Sequence, residues 1–501
     1  MKKLYKNTKK IIGIVLFFGL ISCDSYLSEL PDDRATIDSP DKISALITGA
    51  YPIGNYMLMA ELMSDNALSK PSDNNVVDEQ LHEQMFSWET NEDDSGNQDT
   101  PTNYWVSCYE AIGQANQALE SIAELENIHN LNAQKGEALL ARAYAHFMLV
   151  NFWGKHYNAN SASTDLGVPY VKETETVLFK NYKRNTVKEV YDFIEADLIQ
   201  GIELVREREE NPKFHFTTEA AHAFAARFYA FKADWDKVIA HANQILTNPR
   251  LQIRDMIAYS DLTYDARVFR YNNTIENANI LVNSSLSWWA RDFASSNYGL
   301  VSGEGTGFLL GGNPLNKSWA YDVFGGELFS NLPKFEEFFK ITNQSAGSGT
   351  GFTPQVLFSY DEVLLNRAEA YAMKEDYANS LKDLTDFLSK KTINFNDATD
   401  NLTTAMIANT FRVVPDYLTP SYGFSSNQQA LFITAILNFK QKEFYHEGLR
   451  WFDVRKFNIP IIRDFRRGNL VTEISLAKED VRKQLQIPAS ASNLGLTKNP
   501  R

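Results

Sequence analysis

Residues Ala220-Ala221-His222-Ala223-Phe224-Ala225-Ala226-Arg227-Phe228-Tyr229-Ala230-Phe231-Lys232-Ala233-Asp234-Trp235 decide how the rest of the chain is read. The alanines from 220 to 226 leave a helix surface thin enough for a second helix to lie close against it. The end of the stretch, Ala230-Phe231-Lys232-Ala233-Asp234-Trp235, aligns with Ala372-Met373-Lys374-Glu375-Asp376-Tyr377 at a constant offset of 142. Each copy follows an Ala-rich helical pattern, Ala220 to Tyr229 or Val363 to Tyr371. Each precedes another, Asp236 to Leu246 or Ala378 to Leu388. The unit is helix, tight turn carrying an aromatic, helix, and the chain uses it at least twice.

Such a unit resembles the tetratricopeptide repeat. Two clear copies and two degenerate ones are too few for a regular solenoid. Working outward, the chain is mainly helical from Asp41 to about Leu246. Thr186 followed by Glu189 is a capping box opening the helix from Val187. Glu137 to Trp153 is apolar on nearly every face, which places that helix in the middle of a multilayer stack, and Gly154 ends it. The fold class expected is mainly α: a tetratricopeptide-like helical scaffold with an irregular, loop-rich ligand-binding half. Composition agrees, with 44% hydrophobic and 22% charged residues in a chain of 501. The net charge of −14 argues against a nucleic-acid partner, and two cysteines cannot build a disulfide framework.

The first residues point to a compartment. Lys2, Lys3, Lys6, Lys9 and Lys10 form a basic head, and Ile11 to Ile21 is an apolar run too short to span a bilayer. It ends in Leu20-Ile21-Ser22-Cys23, which resembles a bacterial lipobox, so residues 1–22 read as a lipoprotein signal peptide. Lipidation of Cys23 is the expectation, with the acyl chains anchoring a soluble domain to a membrane. Loss of the five lysines takes the charge from −14 to −19. Cys108 then has no partner and reads as a small core residue.

Between Glu276 and Gly351 the helical period disappears. Ile280-Leu281-Val282 reads as a short strand, followed by clusters of Ser, Gly and Asn. Long irregular stretches in compact proteins tend to carry function. Trp288, Trp289, Phe293, Tyr298, Trp319 and Tyr321 stand among the short polar residues here. Ring faces suit sugar C–H groups, and amides and hydroxyls suit sugar hydroxyls. The competing reading is that these rings fill a satellite core beneath the loops. Trp288 and Trp289 are adjacent, so in an extended segment only one can face a given side.

Catalytic signatures are absent: no H-E-x-x-H, no G-x-S-x-G and no phosphate-binding glycine loop. Glu-x-x-His recurs at Glu79–His82, Glu126–His129, Glu219–His222 and Glu443–His446, a spacing used by di-iron bundles, but in segments unlike facing bundle helices. Asp93 to Asp99 has oxygen side chains at alternate positions, as Ca²⁺ favours. However, Gln98 stands where an EF-hand turn needs glycine, and Tyr104 where it needs the closing glutamate. A solvated acidic loop is the reading preferred. No cofactor is expected, with Ca²⁺ the alternative.

Taken in order, a further set of residues resembles the SusD/RagB family of surface lipoproteins. The set runs from the lipobox with Asp24-Ser25-Tyr26-Leu27 through Ala45 to Tyr51, Glu61-Leu62-Met63-Ser64-Asp65-Asn66, and Trp105 and Tyr109 before Ala115-Asn116. It continues with Arg142-Ala143-Tyr144, Leu365 to Tyr371, Glu447 to Arg455, Gln486-Ile487-Pro488 and the terminal Asn499-Pro500-Arg501. The resemblance implies a non-enzymatic protein lipid-anchored at the cell outer membrane and facing the exterior. It implies a glycan ligand and a TonB-dependent, SusC-like transporter as partner. The same role with peptides is the alternative, and a secreted glycoside hydrolase a remoter one. Candidate ligand contacts are Trp288, Trp289, Tyr298, Trp319 and Tyr321, with Asp65 and Asn66 added. The division expected is 1–22, then 23–275, then 276–501, the last two forming one compact body. Glu447, Arg450 and Asp453 read as one salt-bridged network, and Arg142 and Arg367 as partners of buried carboxylates or helix-end carbonyls.

Overall fold

A computed structural model describes residues 37–70, 79–91, 96–175, 180–208, 210–300, 304–326 and 330–501. Two units, Met1–Ser39 and Pro40–Arg501, divide the chain, and the second carries the elements below. Cys23 and the apolar run before it lie outside the described residues. Among those described, no helix is long and apolar enough to cross a membrane.

The first half is a stack of helices: α1 (Pro40–Ile47), α2 (Met57–Met63), α3 (Glu79–Ser87), α4 (Pro101–Leu125), α5 (Asn132–Trp153) and α6 (Val187–Leu204). α4 begins where Thr100 accepts from the Asn103 N–H and Pro101 fills the first helical position, where no amide donor is needed. α5 is buried from Gly136 to Trp153, as its pattern without a polar face requires. It lies between α4 and α6. The approach to α6 depends on two glycines: a Cβ at Gly136 would sit 2.4 Å from the Val205 amide nitrogen, and one at Gly201 would sit 2.6 Å from Leu140. Thr186 and Glu189 form the expected capping box. Gly154 ends α5 in an extended conformation (φ −99°, ψ 173°) rather than a left-handed one. Cys108 is a buried free thiol.

α7 (Thr218–Lys232) and α8 (Trp235–Ile245) form the first repeat. Short helices α9 (Pro249–Gln252), α10 (Met256–Tyr259) and α11 (Tyr264–Tyr271) lead into the irregular half. There β2 (Asn279–Ser285) contains the expected strand, and α12 (Trp289–Asp292) and α13 (Glu304–Leu310) are short. β2 pairs antiparallel with β7 (Ser348–Ser359), which pairs on its other side with β6 (Phe338–Asn343), in the order β2-β7-β6. Two-residue pairs β1–β3 (Leu68–Ser69 with Tyr298–Gly299) and β4–β5 (Phe324–Gly325 with Ser330–Asn331) pin the remaining loops.

β7 runs directly into α14 (Tyr360–Met373), which with α15 (Tyr377–Lys391) is the second repeat. The offset of 142 holds at atomic detail. Ala233 (φ 58°) and Glu375 (φ 61°) both make the turn in the left-handed region, and Asp234 and Asp376 both cap the second helix. After α16 (Thr404–Thr410) come α17 (Asn427–Glu443), α18 (Leu449–Lys456), the hairpin β8–β9 (Ile461–Arg467 with Leu470–Leu476) and α19 (Ala489–Asn493).

Buried ion pairs tie these layers. Arg142 grips Asp197 through two bonds of 2.7 and 2.8 Å, and Arg367 grips Asp383 through two of 2.8 Å, as expected. Arg227 on α7 reaches Glu362 on α14, joining the two repeats. Lys391 sits 2.9 Å from both Asp361 and Glu443, with Arg254 3.6 Å from Glu443, and all four side chains are inaccessible. The expected network of Glu447, Arg450 and Asp453 needs correction. α18 starts at Leu449, so Glu447 precedes the helix and cannot share its face. Glu447 instead takes Lys334 and Tyr271, while Arg450 takes Asp65.

Candidate ligand-binding site

Four candidate rings are core side chains: Trp289, Tyr298, Trp319 and Tyr321 are 1–3% exposed. Trp289 lies between the rings of His82 and His446, with centroids at 6.1 and 6.3 Å. Tyr298 stacks on Phe86 at 4.2 Å. Trp319 donates its Nε1–H to the Gly311 carbonyl and packs on Phe439, and the Tyr321 hydroxyl donates to Glu443. The expectation that these rings present faces to a ligand is therefore corrected to the satellite-core reading. The reason is geometric for Trp319 and Tyr321: they stand two apart in an extended segment and point the same way. That way is toward α17.

Asp65 and Asn66 also serve the scaffold. Asp65 accepts a two-bond grip from Arg450 at 2.7 and 2.8 Å. Burial alone raises its carboxyl, but the guanidinium outweighs burial and holds it below the usual range. Asn66 donates to Glu61 and accepts from Gln441. Glu61 also accepts the amides of His446 and Gly448, so this junction fastens α2 to the turn before α18. Burial pushes Glu61 up to about 7 against those bonds.

Trp288 is different. It is half-buried and stands as the N-cap of α12. In a helical turn neighbours point about 100° apart, so Trp289 turns inward while Trp288 shares a face with Arg291, three residues on. Beneath Trp288 lies Asp99, a carboxylate that accepts Ser287 Oγ–H at 2.6 Å and the Trp288 N–H at 2.7 Å. Burial pushes Asp99 up to about 7, with the nearby Asp292 charge adding to it and the two bonds opposing. Asp99 closes the acidic loop considered for Ca²⁺; residues 92–95 of that loop lie outside the described residues.

Arg291 pairs through Nε and Nη2 with both oxygens of Glu337, an exposed fork-to-fork ion pair. Glu337 in turn lies beside Gly351, where a Cβ would be 2.4 Å from its Oε1. Gly351 faces Phe339 across the β6–β7 hairpin, and Gly349 faces Ile341. With no side chains opposite them, Phe339 is 61% and Ile341 57% exposed. A surface therefore runs from the Trp288 ring over the Arg291–Glu337 plane to the hairpin. It offers a ring, a planar set of donors and acceptors, and an apolar strip.

Arg291 and Glu337 carry no sequence signal as site residues, and Asp99 stood out only as the end of the acidic loop considered for Ca²⁺. The available signal was the alternation Gly347-Ser348-Gly349-Thr350-Gly351 opposite Phe338-Phe339, a hairpin pattern with one bare face. Among the described residues, no group of three His, Cys, Asp or Glu side chains could hold a metal ion. The four Glu-x-x-His pairs do not converge on one.

Paired helices carrying an irregular half, with a polar and aromatic surface on its outside, define a helical-repeat binding scaffold. The SusD-like family described as "Starch-binding associating with outer membrane" matches residues 25–230, and the SusD family matches residues 255–492. The chain belongs to the SusD/RagB family. Among solved structures, it resembles a SusD superfamily protein from Bacteroides fragilis at 20% identity, covering 92% of this chain and 99% of that one, with a TM-score of 0.63. A putative sugar binding protein from Bacteroides vulgatus is 17% identical over 93% and 99%, with a TM-score of 0.65. A SusD-like carbohydrate binding protein from the same species is 15% identical over 91% and 96%, with a TM-score of 0.61. At these identities the likeness is one of fold. No curated protein matches the chain.

Proposed function

We propose that this protein is a non-enzymatic, glycan-binding lipoprotein of the outer membrane. In this reading Cys23 carries the lipid, the folded unit faces the exterior, and the captured oligosaccharide passes to a TonB-dependent, SusC-like transporter. The observation that carries the glycan reading is the part-exposed Trp288, its backbone N–H fixed by Asp99, standing one helical turn before Arg291, whose guanidinium pairs with Glu337. A pyranose stacks its C–H face on an indole, and a guanidinium–carboxylate plane can donate to and accept from adjacent hydroxyls. Nothing in this arrangement needs a chemical step on the ligand. Family membership and the family's described association with the outer membrane support the setting.

One observation favours a peptide ligand as second reading. Among the described residues β6 pairs only with β7, so its other edge can add an extended strand. Affinity electrophoresis against a glycan panel, alongside a peptide panel, separates the two. The glycan reading expects retardation by at least one polysaccharide that Trp288→Ala weakens several-fold. Retention of peptides alone, lost when β6 is disrupted, replaces it. Cys23→Ser is expected to release the protein from the membrane fraction; persistence there contradicts the lipid anchor.

A further inference from the structure

His222 on α7 and His241 on α8 approach each other across the first repeat. Their Nδ1 atoms lie 2.9 Å apart, with ring centroids at 5.1 Å and an interplanar angle of 40°. Both side chains are partly accessible. The Tyr229 ring stacks on His241 at 5.4 Å and 10°, fixing its plane.

A neutral imidazole carries one proton, on Nδ1 or on Nε2. With both protons on Nε2, two Nδ1 lone pairs face each other at 2.9 Å, which is repulsive. The pair needs something positive between the nitrogens, either one proton in an Nδ1–H···Nδ1 bond or a cation. Burial lowers both rings, and at His241 the neighbouring His222 and the Lys237 charge add to it. The neutral imidazole is the form that binds metals.

The spacing also selects a geometry. At a metal–nitrogen bond of about 2.0–2.1 Å, two nitrogens 2.9 Å apart subtend roughly 90° at the metal. Tetrahedral zinc needs them nearer about 3.4 Å, whereas tetragonal copper(II) and nickel(II) take cis nitrogens at a right angle. Glu219, one turn before His222 on α7, is exposed on the same side of the helix.

We propose that His222 and His241 form a two-histidine clamp for a divalent transition metal, copper(II) or nickel(II) ahead of zinc(II), with water completing the coordination. On binding, the ring that carried its proton on Nδ1 takes up the Nε2–H tautomer, by exchange with solvent and with no net release of a proton, so that both Nδ1 lone pairs face the metal, which cross-links α7 to α8. The clamp shares no residue with the Trp288 surface and does not depend on the glycan reading.

The test uses the untagged full chain at neutral pH, titrated with copper(II) and read by electron paramagnetic resonance. One equivalent with a tetragonal spectrum and superhyperfine coupling to two nitrogens is expected. His222→Gln and His241→Gln are each expected to weaken binding at least tenfold and to remove the two-nitrogen pattern. Nickel(II) is expected to raise the melting temperature of the wild type and of neither variant. No stoichiometric copper, coupling to fewer than two nitrogens in the wild type, or full binding in either variant overturns the proposal.

Discussion

Replacing Trp288 and Trp289 one at a time with alanine separates the surface from the core at adjacent positions. Trp289 is 1% exposed and packed among His82, Phe293 and His446. Its Nε1 has no hydrogen-bond partner, so truncation removes packing alone. Buried Trp→Ala changes cost about 3–5 kcal/mol. At about 2 cal/mol/K per residue, the unfolding entropy of the roughly 460 residues from Pro40 onward is about 1 kcal/mol/K, so the melting temperature is expected to fall by about 4 °C. Trp288→Ala keeps the backbone bond to Asp99 and loses a half-exposed ring. Its melting temperature is expected to stay within about 1 °C, while ligand affinity drops by about 1 kcal/mol, close to fivefold. Calorimetric melts of both variants, with binding measured beside them, supply the comparison. If Trp289→Ala melts like the wild type and abolishes binding, while Trp288→Ala binds normally, the inward and outward assignments are reversed and the site is misplaced.

Asp99 gives a pH test. Its folded-state pKa of about 7 lies above the ordinary carboxylate value because burial disfavours the charge. A raised pKa means that its contribution to stability is full below about pH 4 and is lost as pH rises to 7. Asp99→Asn removes that loss, so in melts from pH 4 to 7 the variant should gain on the wild type with rising pH and level off above about pH 7; a constant difference across that window refutes the assignment. Gly136→Ala drives a methyl into the Val205 backbone and is expected to cost about 2–3 kcal/mol in urea unfolding. Arg142→Ala leaves Asp197 buried without its partner and should cost about 3–5 kcal/mol, whereas the paired change Arg142→Met with Asp197→Leu should recover most of it. Ala233→Gly and Glu375→Gly, at matched left-handed turns, should each add about 0.5–1 kcal/mol; a loss at either refutes the equivalence of the two repeats.

What the sequence revealed follows the range of the interactions. The repeat at 230–235 and 372–377 was legible because a helix, its turn and its cap are written within twenty residues. Arg142 and Arg367 were legible because a guanidinium in an apolar helix needs an anion somewhere. The partner of Arg450 was not, since Asp65 lies 385 positions away and only the packing of α2 against α18 brings them together. The rings of the irregular half show the same limit. Composition marks Trp288 to Tyr321 as aromatic and polar, but inward or outward depends on a single turn of α12 and on where α17 lies. Asp99, Arg291 and Glu337 come from three separated segments, and no local pattern announces that they meet.

Isothermal titration of the full chain with a glycan retained on electrophoresis, followed by mass analysis of the recovered ligand, tests the central claim most directly. Saturable binding by the wild type, several-fold weaker binding by Trp288→Ala, and a ligand recovered with unchanged mass are the predicted results. A shortened ligand, or equal affinity in the two proteins, contradicts the account.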